Sequence, residues 1–204
     1  MIRVFRIPFS TNVERVALAA AHKGIAIEWA DVDDDDRTPV RAVSGQDLVP
    51  VLDADGEVVS DSPAILAWLE ERYPEPPLYP RDEARRAEVQ LFLDWFNLLW
   101  KRTPNLLAHE LVQPEPDPAR MEELAARLRA SLDRFEALLA GRDHLFGEFG
   151  VADVTAYPFL RYGRQGVPEG DDHVFHLLLV EHLGTDAHPR VAAWIDRMAE
   201  RPQA

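Results

Sequence analysis

The feature that most limits how this chain can fold is a cluster of prolines. Pro74, Pro76, Pro77 and Pro80 all fall within the short stretch from Tyr73 to Pro80. Each fixes φ and removes a backbone donor, so neither a helix nor a sheet ladder runs through the segment. The patterning on its two sides differs. Before it, apolar residues switch between strand and helix periods; after it, only helical spacing recurs. The chain therefore reads as two domains, an α/β domain over 1–76 and an all-helical domain over 77–204, a division that 204 residues accommodate.

In the first part, Ile2 to Ile7 reads as a strand and Asn12 to Lys23 as a helix. Val13, Val16, Ala17 and Ala20 share one helical face, and Gly24 follows as a stop. Ile25 to Val32 reads as a second strand, which makes the start of a βαβ unit. The acidic run Asp33–Asp36 lacks the ligand and glycine spacing of a calcium loop and reads as a solvated turn. A short helix or turn is expected around Val40 to Gly45. Val49 to Leu52 and Glu57 to Ser60 flank Asp55-Gly56, a hairpin signal. Ser62 suits the N-cap of a following helix and Pro63 its first position, with Tyr73-Pro74 as its end.

In the second part, helices are expected over Asp82 to Leu111, with a kink or break at Pro104, and over Pro118 to Leu139. Further helices run from Val151 to about Tyr162, bent at Pro158, then from Val174 to Leu183 and Pro189 to Ala199. Trp95, Phe96 and Trp100 form an aromatic stripe, read either as core or as the wall of a substrate pocket.

Composition removes several function classes. There is no cysteine, so disulfides, thiolate metal sites and cysteine nucleophiles are excluded, and any thiol chemistry uses a thiol brought in as ligand. The net charge of -14, without a long basic run, argues against nucleic acid as a partner. No apolar run is long enough to span a membrane, and the first residues lack the apolar core of a signal peptide, so the cytoplasm is the expected compartment. His173, His176 and His182 lie close in sequence but lack the spacing of a zinc helix, and no metal is expected. Neither a nucleophile-elbow serine nor a phosphate-cradling glycine loop is present.

Four motifs together resemble the soluble glutathione transferase superfamily, of the serine type. Pro8-Phe9-Ser10-Thr11-Asn12-Val13-Glu14-Arg15-Val16 is similar to the loop and first helix that carry the family's catalytic hydroxyl. Gly45-Gln46-Asp47-Leu48-Val49-Pro50-Val51-Leu52 is similar to the loop that ends in a cis proline. Asp61-Ser62-Pro63-Ala64-Ile65 resembles the acid-Ser-x-Ala-Ile signature at the γ-glutamyl end of glutathione. Gly150-Val151-Ala152-Asp153 resembles the capping motif of the buried helix in the second domain. The resemblance covers nearly the whole chain. It implies a thioredoxin-like glutathione-binding domain over 1–76, an all-α helical bundle over 77–204, glutathione as co-substrate, a small electrophilic or hydrophobic second substrate, and a homodimer.

The residues carry this chemistry in their own right. The helix N-terminus at Ser62 offers free N–H groups to a carboxylate, and Asp61 can pair with an ammonium group. A cis bond at Val49-Pro50 would turn the Val49 N–H and C=O outward, toward the cysteinyl part of an extended peptide. Ser10, with Thr11 as the alternative, can donate a hydroxyl to a thiolate and lower its pKa. Thr11 lies nearer the helix and is expected to cap it, leaving Ser10 free to face the sulfur. Phe5 and Phe9 stand where tyrosine-type members carry their hydroxyl. Gln46 is a candidate contact for the glycyl end. Arg15 is read equally as a ligand contact or as a structural arginine. Asp153 is expected to reach back to a backbone N–H, with Gly150 offering no reciprocal side chain. The functional alternatives are a glutathione transferase, a non-catalytic binding or scaffold protein on the same fold, and a glutathione-dependent isomerase.

Overall fold

The computed structural model describes residues 1–204 and divides them into two compact units, Met1–Tyr79 with Arg201–Ala204, and Pro80–Glu200. The first unit is built on a four-stranded sheet in the order β2-β1-β3-β4. β1 (Ile2–Arg6) pairs in parallel with β2 (Glu28–Asp31) and antiparallel with β3 (Val51–Ala54), which pairs antiparallel with β4 (Glu57–Ser60). The completely buried residues of the sheet sit on the two inner strands: Val4, Val51 and Leu52. Along the β2 edge Arg3 is paired to Glu28 and Arg6 to Asp31.

α1 (Thr11–Lys23) joins β1 to β2. It buries Val13, Val16, Ala17 and Ala20 and ends at Gly24, whose φ of 65° lets its N–H reach the carbonyls of Ala20 and Ala21. α2 (Thr38–Ser44) follows β2, and α3 (Ser62–Arg72) follows β4 and packs against α1. β2 is shorter than the expected run from Ile25 because Ile25 is held by α1 instead, its N–H donating to the Ala20 carbonyl.

The proline segment is not a free linker. Lys23, its side chain fully buried, donates to the carbonyls of Tyr73 and Pro76 and to the Glu70 carboxylate. Glu70 also accepts from the Leu78 and Tyr79 N–H groups. The first unit therefore runs to Tyr79 rather than ending at 76. The last residues also belong to it: the Ala204 N–H donates to the Ala17 carbonyl and Gln203 to Glu14. Both Val49-Pro50 and Glu75-Pro76 are cis.

The second unit is all helical. α4 (Glu83–Asp94) passes into a π-helical turn, Trp95–Trp100, and resumes as α5 (Arg102–Leu111). The break falls before Pro104 because Pro104 has no N–H for the Trp100 carbonyl, and Lys101 donates one residue further back than in an α-helix, to Phe96. α6 (Pro118–Leu138) is capped by Asp117, whose carboxylate accepts from Ala119 and Arg120. α7 (Val151–Leu160) is buried on every side, as a helix apolar all round must be. It carries Pro158 in its last turn and ends short of Tyr162, which opens α8 (Tyr162–Gln165). α9 (Val174–His182) and α10 (Pro189–Ala199) complete the unit. Phe92, Phe96, Trp100, Phe135 and Phe159 form one aromatic core, with Phe96 stacked on Trp100 at 4.5 Å. No helix is long and apolar enough to cross a membrane.

Candidate functional site

In the first unit, two helix N-termini carry the candidate residues. Ser10 is the N-cap of α1: its backbone is extended, and its Oγ accepts from the Val13 N–H at 3.4 Å. Thr11 is already helical and only 5% exposed, so it does not cap. The expected division of labour is thereby corrected. A cap needs non-helical backbone angles, and Ser10 has them. Capping occupies a lone pair of the Ser10 hydroxyl and not its proton, so the hydroxyl can still donate to an anion. Phe9, just before it, is exposed and has a φ of 59°.

The start of α3 also differs from expectation by one position. Asp61, not Ser62, is the N-cap, Ser62 is the first helical residue and Pro63 the second. Asp61 makes no side-chain capping bond, is exposed, and adopts a φ of 75°, a left-handed conformation that L-residues rarely take. Its carboxylate is therefore not consumed by its own helix. In the first turn the Ser62 and Ala64 N–H groups have no partner in the chain, and Pro63 has none to offer.

Ser62 is completely buried, and its hydroxyl is held from both sides. It accepts from Arg15 Nη1 at 3.2 Å and donates to Asn12 Oδ1 at 3.4 Å. Its proton thus faces α1, which leaves anion binding at this turn to backbone N–H groups. Arg15 is itself completely buried; desolvation pushes its guanidinium down to about 9, opposed by the charge of Asp61. Asn12 was not singled out in the sequence. Its partner lies 50 residues away, and no local spacing announces such a contact.

Val49, next to the cis peptide, packs against the cluster of Phe5, Val32, Val40 and Val51, and its backbone has no partner in the chain. Gln46 spends its side chain on its own loop: Nε2 donates to the Leu48 carbonyl at 2.8 Å and Oε1 accepts from the Leu48 N–H at 2.5 Å. It braces the turn leading to Val49 rather than presenting a free amide.

In the second unit, Phe96 is core, while Trp95 and Trp100 line a cavity of about 710 Å³ between the π-helical segment, α5 and α6. Arg134 lies over the Trp95 ring, 5.4 Å from its centre. The rings of His173 and His176 lie 5.1 Å apart, but His182 does not join them. His176 Nδ1 is bonded to Asp171 at 2.8 Å, His173 caps α9, and His182 lies at the far end of that helix. Asp153 accepts from the Gly150 N–H at 3.1 Å, the one-sided capping bond expected of it.

On its thioredoxin-like sheet the first unit thus carries an exposed carboxylate beside open N–H groups, a hydroxyl on a second helix N-terminus and an unpaired backbone at a cis proline. Comparison with known proteins identifies the family and its fold. Residues 4–77 match the family model described as glutathione S-transferase, N-terminal domain, and residues 93–202 match glutathione S-transferase, C-terminal domain. The chain belongs to the glutathione S-transferase family, whose members bind glutathione, and has its fold. A glutathione S-transferase from Rhodospirillum rubrum superposes with a TM-score of 0.77 at 27% identity, covering 99% of this chain and 89% of that one. FtsZ-localized protein A of Caulobacter vibrioides is 36% identical over 107 residues, 48% of this chain and 47% of its own length. Maleylpyruvate isomerase of a Ralstonia species is 38% identical over 85 residues, 40% of each protein. These alignments span less than half the length of either relative.

Proposed function

We propose that this protein is a glutathione transferase that stabilises the thiolate of glutathione for attack on a small electrophilic molecule. The observation that carries the reading is Ser10: its hydroxyl caps α1 through a lone pair and keeps its proton for a sulfur anion. The α-carboxylate of the γ-glutamyl group takes the Ser62 and Ala64 N–H groups, its ammonium group takes Asp61, and the Val49 backbone pairs with the cysteinyl residue. Pro50 fixes the turn that presents Val49, and Gln46 supports it. In the transfer, the thiolate forms a bond to the electrophilic carbon, and the leaving group departs with the electron pair of the bond it had. The preorganised hydroxyl and helix N-terminus favour the anion before it reacts. The second substrate is held by the helical unit, the working assembly is a homodimer, and the compartment is the cytoplasm, where reduced glutathione is abundant.

The likeness to maleylpyruvate isomerase favours a second reading, in which the thiolate adds to a substrate and is released again after isomerisation. The likeness to FtsZ-localized protein A, named for where it is found and not for a reaction, supports a third reading, a non-catalytic binding or scaffold role on the same fold. Calorimetry with glutathione, then turnover of 1-chloro-2,4-dinitrobenzene and of a cis-configured unsaturated diacid, separates the three. Conjugation is the expected outcome. Isomerisation without conjugation supports the second reading, and glutathione binding without either supports the third. Absence of glutathione binding removes the proposal. Light scattering at micromolar concentration is expected to give the dimer mass, and a monomer mass removes the homodimer.

A further inference from the structure

Arg15 stands out among the charged residues. It is completely buried on α1, and its Nη1 donates to the Ser62 hydroxyl, on a helix that begins 47 residues later. A buried guanidinium is costly, and an apolar side chain of similar volume would serve packing as well or better. The acidic group whose charge it feels is Asp61, which is exposed, makes no capping bond and is held at a φ of 75°. Two unfavourable features, a desolvated cation and a left-handed aspartate, thus meet at the first turn of α3. Strain of this kind persists where the surroundings over-determine it.

We propose that Arg15 is a positioning residue of the γ-glutamyl site: from beneath α3 it holds the Ser62 hydroxyl and attracts the Asp61 carboxylate, so that this carboxylate and the Ser62 and Ala64 N–H groups are fixed as one zwitterion-binding unit. This rests on the reading of that site given above. The geometry assigns each atom a task. With a lone pair of the Ser62 hydroxyl taken by Arg15 and its proton by Asn12, the hydroxyl cannot turn to cap its own helix or compete for the ligand. The first-turn N–H groups stay open, and the fixed charge below them counters the long-range repulsion that a net charge of -14 imposes on an anionic ligand. Asn12 and Arg15 both lie on the helix that Ser10 caps, so the same contacts tie the thiol end of the site to its γ-glutamyl end.

The test is a double-mutant cycle in the full chain. Glutathione affinity is measured by calorimetry in Asp61→Asn, Arg15→Met and the double variant, with Arg15→Lys as the charge-conserving control and thermal melts to establish folding. Asp61→Asn is expected to weaken binding about tenfold in the native background. It is expected to have little further effect once Arg15→Met is present, and Arg15→Lys should recover part of the loss. A merely structural arginine predicts additivity, and an undiminished Asp61→Asn penalty in folded Arg15→Met overturns the proposal. A ligand-free readout keeps this separate from the functional reading. The amide resonances of Ser62 and Ala64 should move in Arg15→Met and stay close to native in Arg15→Lys. If native protein binds no glutathione, the function proposed above is lost, and unmoved Ser62 and Ala64 resonances in folded Arg15→Met overturn the positioning role on their own.

Discussion

At the scale of single residues, the decisive group is Ser10, because one hydroxyl serves as both cap and candidate donor. Ser10→Ala removes both functions. It should cost about 1 kcal/mol of stability as a lost cap and raise the pKa of the bound thiol by an amount equivalent to about 2–4 kcal/mol. Ser10→Gly separates the two, since glycine at an N-cap costs only roughly a few tenths of a kcal/mol yet offers no donor. Thr11→Val, at a position 5% exposed, should leave the thiol titration unchanged. Ultraviolet titration of bound glutathione in the three variants, beside thermal melts, checks this. A native thiol pKa in Ser10→Gly would show that backbone donors alone stabilise the anion. The sequence pointed to this loop and to Asp61, Ser62 and Val49, because serine, aspartate and proline advertise helix starts and turns locally. It misplaced both caps by one residue. Ser10 and Thr11 are both acceptable capping types, and nothing local shows which of two adjacent residues leaves helical angles first. The partners of Arg15 were illegible for another reason: they are set by the packing of α1 on α3.

At the scale of elements, periodicity was a reliable guide to helices with one buried face, such as α1 and α10. It announced a break at Pro104 but could not reveal that the helix passes through a π-helical turn at Trp95–Trp100 just before it. Nor did it mark Gly163, where an added Cβ would lie 1.9 Å from the Leu183 carbonyl oxygen, a close approach between α8 and the end of α9. The capping aspartate of α7 was legible, but its reach was not. Besides Gly150, Asp153 Oδ1 accepts from Trp194 Nε1 at 2.7 Å and from the Leu145 N–H at 3.1 Å, so a single buried carboxylate joins α7, α10 and the segment before α7. Asp153→Ala strands three buried or half-buried donors and should cost on the order of 3 kcal/mol or more. Asp153→Asn keeps an oxygen for Trp194 and Leu145 and should fall between. Chemical denaturation with the indole fluorescence of Trp194 as one probe measures both. A loss within about 0.5 kcal/mol for Asp153→Ala, the range of ordinary surface substitutions, would show that the three donors find other partners.

At the scale of the whole molecule, acid stability sets two effects against each other. Burial holds His22, His176 and His182 below their usual 6.5. For His22 the Pro77 carbonyl opposes this, for His176 the bond to Asp171, and for His182 the charge of Glu181. Because the unfolded chain binds these protons more readily, stability rises with pH through this window. The contribution is complete above about 6.5 and is lost as the pH falls toward each depressed folded value. Acidification also reduces a net charge of -14, which relieves self-repulsion and favours the compact state. Salt separates the two, since it screens repulsion between exposed charges and acts little on the burial of an imidazole. The melting temperature is therefore expected to fall more steeply between pH 7.5 and about 5.5 at high salt than at low salt. His22→Gln, which keeps an amide donor for the Pro77 carbonyl but does not titrate, should make the high-salt profile shallower. A high-salt melting temperature that stays level or rises on acidification would mean that these buried and half-buried imidazoles find compensating partners when charged, and that the net charge alone governs the acid response.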